Sequence, residues 1–225
     1  MIVGVFAMTA VFGVIALTLL LIFRKDLVGV DVSARSLLRL YLYIASLAGL
    51  LVFVIGIASL LDWAAGAAFG VQAVYGRAPS VWPSFMDYSN FADQSAMRHD
   101  DALLQGLTLT VFGALFWGGH AFARRSLGPD ERSSVLRRAY NVLCTFVFGV
   151  GTVVMLPVGI YQLLSYVLVT PAADVFKSGF GDSLAGGIAS VPVWLVYLTR
   201  VVRAAPREAR MPIPSRSAPV RTGLV

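Results

Sequence analysis

The sequence predicts an all-α membrane protein, a polytopic helix bundle with five transmembrane helices. One observation is compositional: apolar residues make up 58% of the 225-residue chain and charged residues only 13%, whereas a soluble domain carries about 25% charged residues. A second observation is the length of the uncharged segments. Between Arg39 and Asp62 there is no charged residue, and as a helix this segment crosses a hydrocarbon core of about 30 Å at a rise of about 1.5 Å per residue.

The first apolar segment, residues 1–23, is predicted to be a lead transmembrane helix. Its basic residues, Arg24 and Lys25, follow the apolar segment. A secretory signal peptide instead begins with a basic region and ends at a cleavage site of small residues. The order of the residues therefore favours a helix that is retained in the mature protein.

A first membrane hairpin is predicted over residues 36–124. It contains a helix at about 37–61, a long outer loop at 71–101 and a second helix at about 102–123, which ends at a basic pair and a Gly-Pro turn. Gly66 and Gly70, at the outer end of the first helix, have the GxxxG spacing that allows close helix approach. A fraying helix end rich in Ala and Gly is the alternative.

The outer loop at 71–101 is too rich in aromatic residues to be a solvated linker. Trp82, Phe85 and Met86 follow the i, i+3, i+4 spacing of a helix face, which favours a short helix lying in the membrane interface. Packing over the outer ends of the bundle is the alternative. Both interpretations predict that at least part of this loop is ordered.

A second hairpin is predicted over residues 134–203. Its first helix, at about 138–169, contains Pro157, which removes a backbone donor and is expected to kink the helix. Its second helix is expected at about 183–202. The remaining residues, 204–225, are rich in Pro, Arg, Ser and Ala and are expected to form a disordered basic tail in the cytoplasm.

The distribution of basic residues predicts the orientation. On one side of the predicted spans lie only Arg77, Arg98 and Lys177, and the other 15 of the 18 Lys and Arg residues lie on the opposite side. Lys and Arg concentrate in cytoplasmic loops. Five spans across a cell membrane therefore place the amino terminus outside and the tail in the cytoplasm. Anionic lipids of the cytoplasmic leaflet are the expected partners. Nucleic acid is not, because no soluble basic face with interleaved aromatic residues is present.

The two predicted hairpins resemble each other, as expected for a parallel internal repeat. Both open with Arg-x-Tyr, at Arg39 and at Arg138, and both carry Asp-x-Leu-x-x-Gly-(Leu/Ile), beginning at Asp101 and at Asp182. The segment Trp117-x-x-His120 in the first hairpin resembles Trp194-x-x-Tyr197 in the second when a shift of four residues is allowed.

At these residues the chain resembles the bacterial multi-pass membrane proteins catalogued as domain of unknown function 5671, which have a tandem two-helix repeat. The resemblance covers Ser36 to Arg203 and depends on Arg39, Tyr41 or Tyr43, Gly113, Trp117 and His120. In the second hairpin Tyr197 stands where the histidine is expected. The resemblance implies a topology and no activity.

His120 is a candidate ligand of haem or metal, or a proton-relay group, at the inner end of its helix. A membrane b-type haem takes two axial histidines, and the only other histidine, His99, is predicted on the opposite side. An interfacial histidine that pairs with a neighbour or a lipid phosphate is therefore the favoured interpretation. With Cys144 as the single cysteine, no cysteine-based metal cluster can form. No cofactor or metal is predicted.

Arg39 and Arg138 are candidate sites for anionic headgroups or a substrate carboxylate, with Tyr41 and Tyr140 close by in sequence. Ordinary snorkelling of arginine to the interface is the favoured alternative.

The segment His99-Asp100-Asp101 is the remaining candidate, as a divalent-cation or acid–base site. Capping of a helix that begins at about 102 explains the two aspartates without such chemistry. Asp62, beside the interfacial Trp63, is expected to be solvated.

The sequence favours a non-catalytic accessory or assembly subunit of a membrane complex, with other membrane subunits as partners. No Asp, Glu or Lys lies near the middle of a predicted span, no cofactor ligand set is present, and the long outer loop is available for contacts. The alternative is a transporter or channel for a small neutral or weakly charged solute, favoured by the repeat and by Pro157. A membrane enzyme that uses His99 and Asp101 is a third possibility.

Overall fold

The computed structural model of the chain describes residues 34–76, 91–127, 135–169 and 178–208. The predicted lead helix at 1–23 lies outside these ranges, and so does nearly all of the tail. The predicted interfacial helix around Trp82 also lies outside them.

Every regular element in the described ranges is a helix, which confirms the all-α prediction. The helices are α1 (Ala34–Phe69), α2 (Val71–Tyr75), α3 (Phe91–Arg125), α4 (Val135–Leu168) and α5 (Gly181–Glu208). All but the short α2 are long and apolar enough to cross a membrane. Helix α4 continues through Pro157.

Two helices extend well beyond their predicted ends. Helix α1 continues past residue 61 to Phe69, through an Ala-rich segment with high helix propensity. Helix α3 begins at Phe91, about three turns before the predicted start at 102. Its first turns are polar, so they resemble a loop in composition although Ala, Gln, Met and Arg are good helix formers. Asp100 and Asp101 therefore lie inside α3, and the prediction that they cap its first turn was wrong.

Helices α1 and α3 pack closely along their length, and glycines set the contact. A side chain on Gly49 would come within 2.6 Å of the backbone nitrogen of Trp117. A side chain on Gly56 would meet Thr110, and one on Gly113 would meet the backbone of Phe53. Helices α4 and α5 pack in the same manner. These contacts depend on residues without a side chain, as is common between membrane helices.

The predicted close approach at Gly66 and Gly70 is not observed between helix backbones. A side chain on Gly66 would meet the imidazole of His99 at 2.6 Å, and Gly70 lies beyond the end of α1 with open space around it.

The two helix pairs meet through α1, which contacts both α4 and α5. A fully buried apolar core lies at this junction and includes Val54, Ala58, Val147, Phe148 and Met155. This core separates two polar regions at opposite ends of the bundle.

The charged side chains of the described residues divide between these two ends. The carboxylate end contains Asp62 on α1, Asp100 and Asp101 on α3, and Asp182 on α5, with Arg98 as a basic neighbour. The arginine end, at the opposite end of the same helices, contains the basic residues Arg39, Arg124, Arg125, Arg137, Arg138, Arg200 and Arg203.

Candidate functional site

A polar cavity of about 620 Å³ lies at the carboxylate end, between the α1–α3 pair and the α4–α5 pair. Each of the four long helices contributes polar side chains to it. Those side chains are Ser59, Asp62, Arg98, Asp101, Gln105, Gln162, Asp182 and Ser183, joined by Tyr75 of α2 and by Ser178.

Asp62 is buried in the wall of this cavity, with 4% of its surface exposed. Its carboxyl group lies close to that of Asp182, in the first turn of α5. A side chain on Gly181 would collide with Oδ1 of Asp62, so this glycine lets the carboxyl group lie against the start of α5. The prediction that Asp62 is solvated was wrong, because α1 continues past it and the chain folds back over it.

Helix α2 forms the cover of the cavity. It is bounded by Gly70 and Gly76, whose φ angles of 91° and 103° lie in the left-handed region that favours glycine. The backbone N–H of Phe180 donates a hydrogen bond of 3.3 Å to the carbonyl oxygen of Ala73. Ala73, Val74 and Phe180 form a small apolar cluster, which holds α2 against the start of α5.

Tyr75, at the end of α2, presents a phenol to the cavity. Burial raises the pKa of Tyr75 above its ordinary value, and the carboxylates of Asp62 and Asp182 raise it further. The phenol is therefore neutral at physiological pH and keeps its proton as a hydrogen-bond donor.

Four residues that line the cavity carry a buried polar atom with no hydrogen-bond partner among the residues that the structure describes. The atoms are Oδ1 of Asp62, the hydroxyl of Tyr75, Oε1 of Gln162 and Oγ of Ser183. Leaving such an atom unsatisfied costs about 1–3 kcal/mol, and buried polar groups in proteins nearly always pair with protein, water or ligand. These atoms mark the cavity as a site for polar occupants.

The predicted cluster of His99 and Asp101 is divided by the structure. Asp101 is exposed and lies at the cavity wall. His99 packs instead against the rings of Trp63 and Tyr75, with ring centroids 5.8 and 6.2 Å away. Within the described ranges, no group of three or more His, Cys, Asp or Glu residues is placed to hold a metal ion.

His120 lies at the arginine end of α3, far from the cavity. Its Nδ1 donates a hydrogen bond of 2.7 Å to the carbonyl oxygen of Phe116, and its Nε2 is 3.5 Å from the hydroxyl of Tyr41. Beside it, an open groove of about 370 Å³ runs between α1 and α3 over Leu42 and Gly119.

The Arg-x-Tyr openings of the two hairpins occupy different environments. Arg39 is half-buried and Arg138 is exposed. Tyr41 is 58% exposed, whereas Tyr140 is 4% exposed. The residue that shares the environment of Tyr140 is Tyr43, which is also buried.

Tyr43 and Tyr140 lie on either side of Arg124, whose guanidinium carbon is 4.8 and 4.5 Å from their ring centroids. Arg124 donates a hydrogen bond of 2.9 Å to Oγ of Ser46. Ser46 and Tyr140 are 3.3 Å apart, and Tyr140 and Tyr197 are 3.2 Å apart, through their hydroxyl oxygens. The network joins α1, α3, α4 and α5. Arg124 therefore has a structural role, which the sequence did not predict.

The cavity residues were not predicted as a set. Asp62 and Asp182 were each noticed in the sequence, but as a solvated residue and a helix cap. One signal could have identified Asp62: it is the acidic residue that interrupts the apolar segment of α1, and an acidic residue within a span marks a functional site by default.

Comparison with known proteins identifies one family. The model of a family described as Domain of unknown function (DUF5671) matches residues 39–196, which is more than half of the chain. No curated protein and no solved structure matches the chain significantly.

Proposed function

The chain belongs to the DUF5671 family, and from its cavity we propose that it is a membrane transport protein for a small polar solute. The solute enters from the carboxylate end and binds between the two helix pairs. The observation that carries this proposal is that four residues lining one cavity, from three long helices and α2, each hold a buried polar atom without a hydrogen-bond partner among the described residues.

The buried Asp62 supports transport over the accessory-subunit function that the sequence favoured. The absence of acidic residues within the spans counted against transport. Asp62, however, lies within the membrane-length segment Leu38–Phe69 and is almost fully buried. A buried acidic residue within a span is costly, and such residues typically face a water-filled cavity and mark a solute or ion pathway.

The depth of the cavity favours a transporter, in which binding is followed by a conformational change, rather than an open channel. Ser59, on the cavity wall, is about 8 Å along the helix from the middle of the segment Leu38–Phe69. Beyond it, Val54, Ala58 and Met155 belong to a buried apolar cluster. A solute that crosses must therefore wait for this apolar core to open, as in alternating access.

Solute flux into proteoliposomes tests this proposal without knowledge of the solute. Liposomes that contain the full chain are placed in a hyperosmotic panel of small polyols, amines and amino acids, and re-swelling is followed by light scattering. We expect at least one solute to speed re-swelling over that of protein-free liposomes. Gln105→Trp, which fills the cavity, should abolish the effect.

Leu104→Trp is the matched control, because Leu104 neighbours Gln105 on α3 but is 66% exposed away from the cavity. Loss of flux in both variants, or no flux for any solute with the unmodified chain, would contradict transport through this cavity.

The topology that we propose follows the distribution of charge. The carboxylate end faces outside and the arginine end faces the cytoplasm, where the guanidinium groups contact anionic lipid. With residues 1–23 as a further span, the chain crosses the cell membrane five times, with its amino terminus outside and its tail inside.

An accessory or assembly subunit of a membrane complex is the second candidate function. It is favoured by α3, which packs along α1 and leaves a row of large apolar side chains exposed, including Leu104, Val111, Leu115 and Phe122. Native purification in mild detergent tests it: a partner that co-purifies stoichiometrically supports this function, and a monomer with solute flux contradicts it.

A further inference from the structure

We infer that the solute bound in the cavity at the carboxylate end is a small organic cation that bears an ammonium or guanidinium group. This inference deepens the proposed function and rests on it. Three properties of the cavity lead to it: its charge, the type of its unsatisfied atoms and its size.

The charged groups on the cavity wall are mainly acidic. Asp62, Asp101 and Asp182 line it, and Arg98 is the single basic side chain among the described lining residues. Arg98 is exposed at the rim, whereas Asp62 lies deep in the wall with 4% of its surface exposed. A cation that enters the cavity therefore passes from a rim with basic and acidic side chains to an acidic interior.

Two of the four unsatisfied atoms are acceptors, which favours an occupant that donates hydrogen bonds. Oε1 of Gln162 and, in an ionised carboxylate, Oδ1 of Asp62 accept hydrogen bonds and do not donate them, and neither has a partner among the described residues. The hydroxyl of Ser183, a residue that is 1% exposed, is also without a partner and can accept. An ammonium group supplies three donors and a guanidinium five, while a carboxylate or phosphate supplies none when ionised.

The carboxyl groups of Asp62 and Asp182 lie close together at the cavity and give the cation a place to bind. Two ionised carboxylates that lie close together repel each other. A bound ammonium removes this repulsion, because it donates to both carboxylates at once and compensates their charges. The start of α5 then stabilises the ionised Asp182.

The size of the cavity favours an organic cation over a metal ion. Its volume of about 620 Å³ is in the range of about 300–1,000 Å³ typical of small-molecule sites. Asp62 and Asp182 are a pair, and the described residues place no third His, Cys, Asp or Glu with them to form a metal site of three such ligands. The phenol of Tyr75 adds an aromatic wall, which is favourable for an ammonium group.

Thermal unfolding of the purified full chain in detergent tests this inference with three probes of equal length. The probes are propylammonium, 1-propanol and propionate, compared at the same concentration and ionic strength. At a tenfold excess over its dissociation constant, propylammonium should raise the unfolding temperature by about 3–6 °C. The other two probes should leave it unchanged.

Asp101→Asn should weaken the effect of propylammonium, while Asp100→Asn should retain it. Both residues are exposed on the same turn of α3, so neither substitution threatens folding, but only Asp101 lines the cavity. Asp62→Asn should abolish the effect. If this last variant does not fold, Gln162→Leu removes another acceptor from the same wall.

The outcomes separate the inference from the proposed function. Stabilisation or flux with neutral or anionic solutes alone would overturn the cationic class and leave transport intact. An equal response to propylammonium in Asp100→Asn and Asp101→Asn would place the cation outside the cavity and overturn the inference. Binding of propylammonium without any flux would support the inference and contradict transport.

Discussion

Arg124 and Arg125 are neighbours in sequence but have different roles in the structure. The guanidinium group of Arg124 lies between the rings of Tyr43 and Tyr140 and donates to Ser46. Arg125 is exposed at the end of α3. Since cation–π contacts between desolvated groups contribute up to about 2 kcal/mol and charged hydrogen bonds about 1.5–3 kcal/mol, Arg124 stabilises the fold and Arg125 does not.

We predict that Arg124→Met lowers the free energy of unfolding by about 2–4 kcal/mol. Arg125→Met, the matched control, should change it by less than about 0.5 kcal/mol. Chemical denaturation of the two purified variants in the same detergent, followed by tryptophan fluorescence, gives both values. Equal values for the two arginines would show that the network around Arg124 is not stabilising.

Single residues also show why the sequence predicted little of the site. Asp62 beside Trp63 has the composition of a helix end at an interface, and nothing in that local pattern indicates that the segment around Gly181 folds over it. The partner of Asp62 is 120 positions later in the chain. The burial of Asp62 depends on the packing of α1 against α5, which no local pattern records.

At the scale of the helices, the sequence predicted which segments are helical but not where they end or which faces meet. Apolar length identifies a span, and the predicted positions for α1, α3, α4 and α5 overlap those observed. The helix faces that pack together cannot be identified in this way, because exposed residues such as Leu104 and core residues such as Val54 are both strongly apolar. The glycines at the contact carry the information instead.

We predict that Gly113→Ala destabilises the α1–α3 pair by about 1–3 kcal/mol, since its methyl group would collide with the backbone of Phe53. Gly118→Ala, on the same helix, adds a methyl group in open space. It should be neutral or stabilise the helix by up to about 1 kcal/mol. Thermal unfolding in detergent compares the two variants.

If Gly113→Ala is as stable as Gly118→Ala, the two helices do not approach as closely as the structure indicates. A larger side chain at position 113 provides a second measurement, because the cost should rise with its volume.

At the scale of the whole molecule, the described charges form two opposite poles. Three aspartates line the cavity at the carboxylate end, and arginines surround the other end, with an apolar core between them. The count of Lys and Arg residues on each side of the predicted spans predicted the arginine end, because basic residues cluster near the ends of spans. It did not predict the acidic pole as a unit, because Asp62, Asp101 and Asp182 are distant in sequence and meet only when the hairpins pack.

The two poles predict the sidedness of the molecule, which thiol labelling can measure. Cys144 is fully buried, so a membrane-impermeant maleimide should not label the unmodified chain. Ser178, at the carboxylate end, and Ser126, at the arginine end, are both exposed. In sealed right-side-out vesicles, Ser178→Cys should be labelled at once, and Ser126→Cys only after detergent opens the membrane. The reverse order would invert the orientation, and labelling of both positions in sealed vesicles would mean that the helices between them do not span the bilayer.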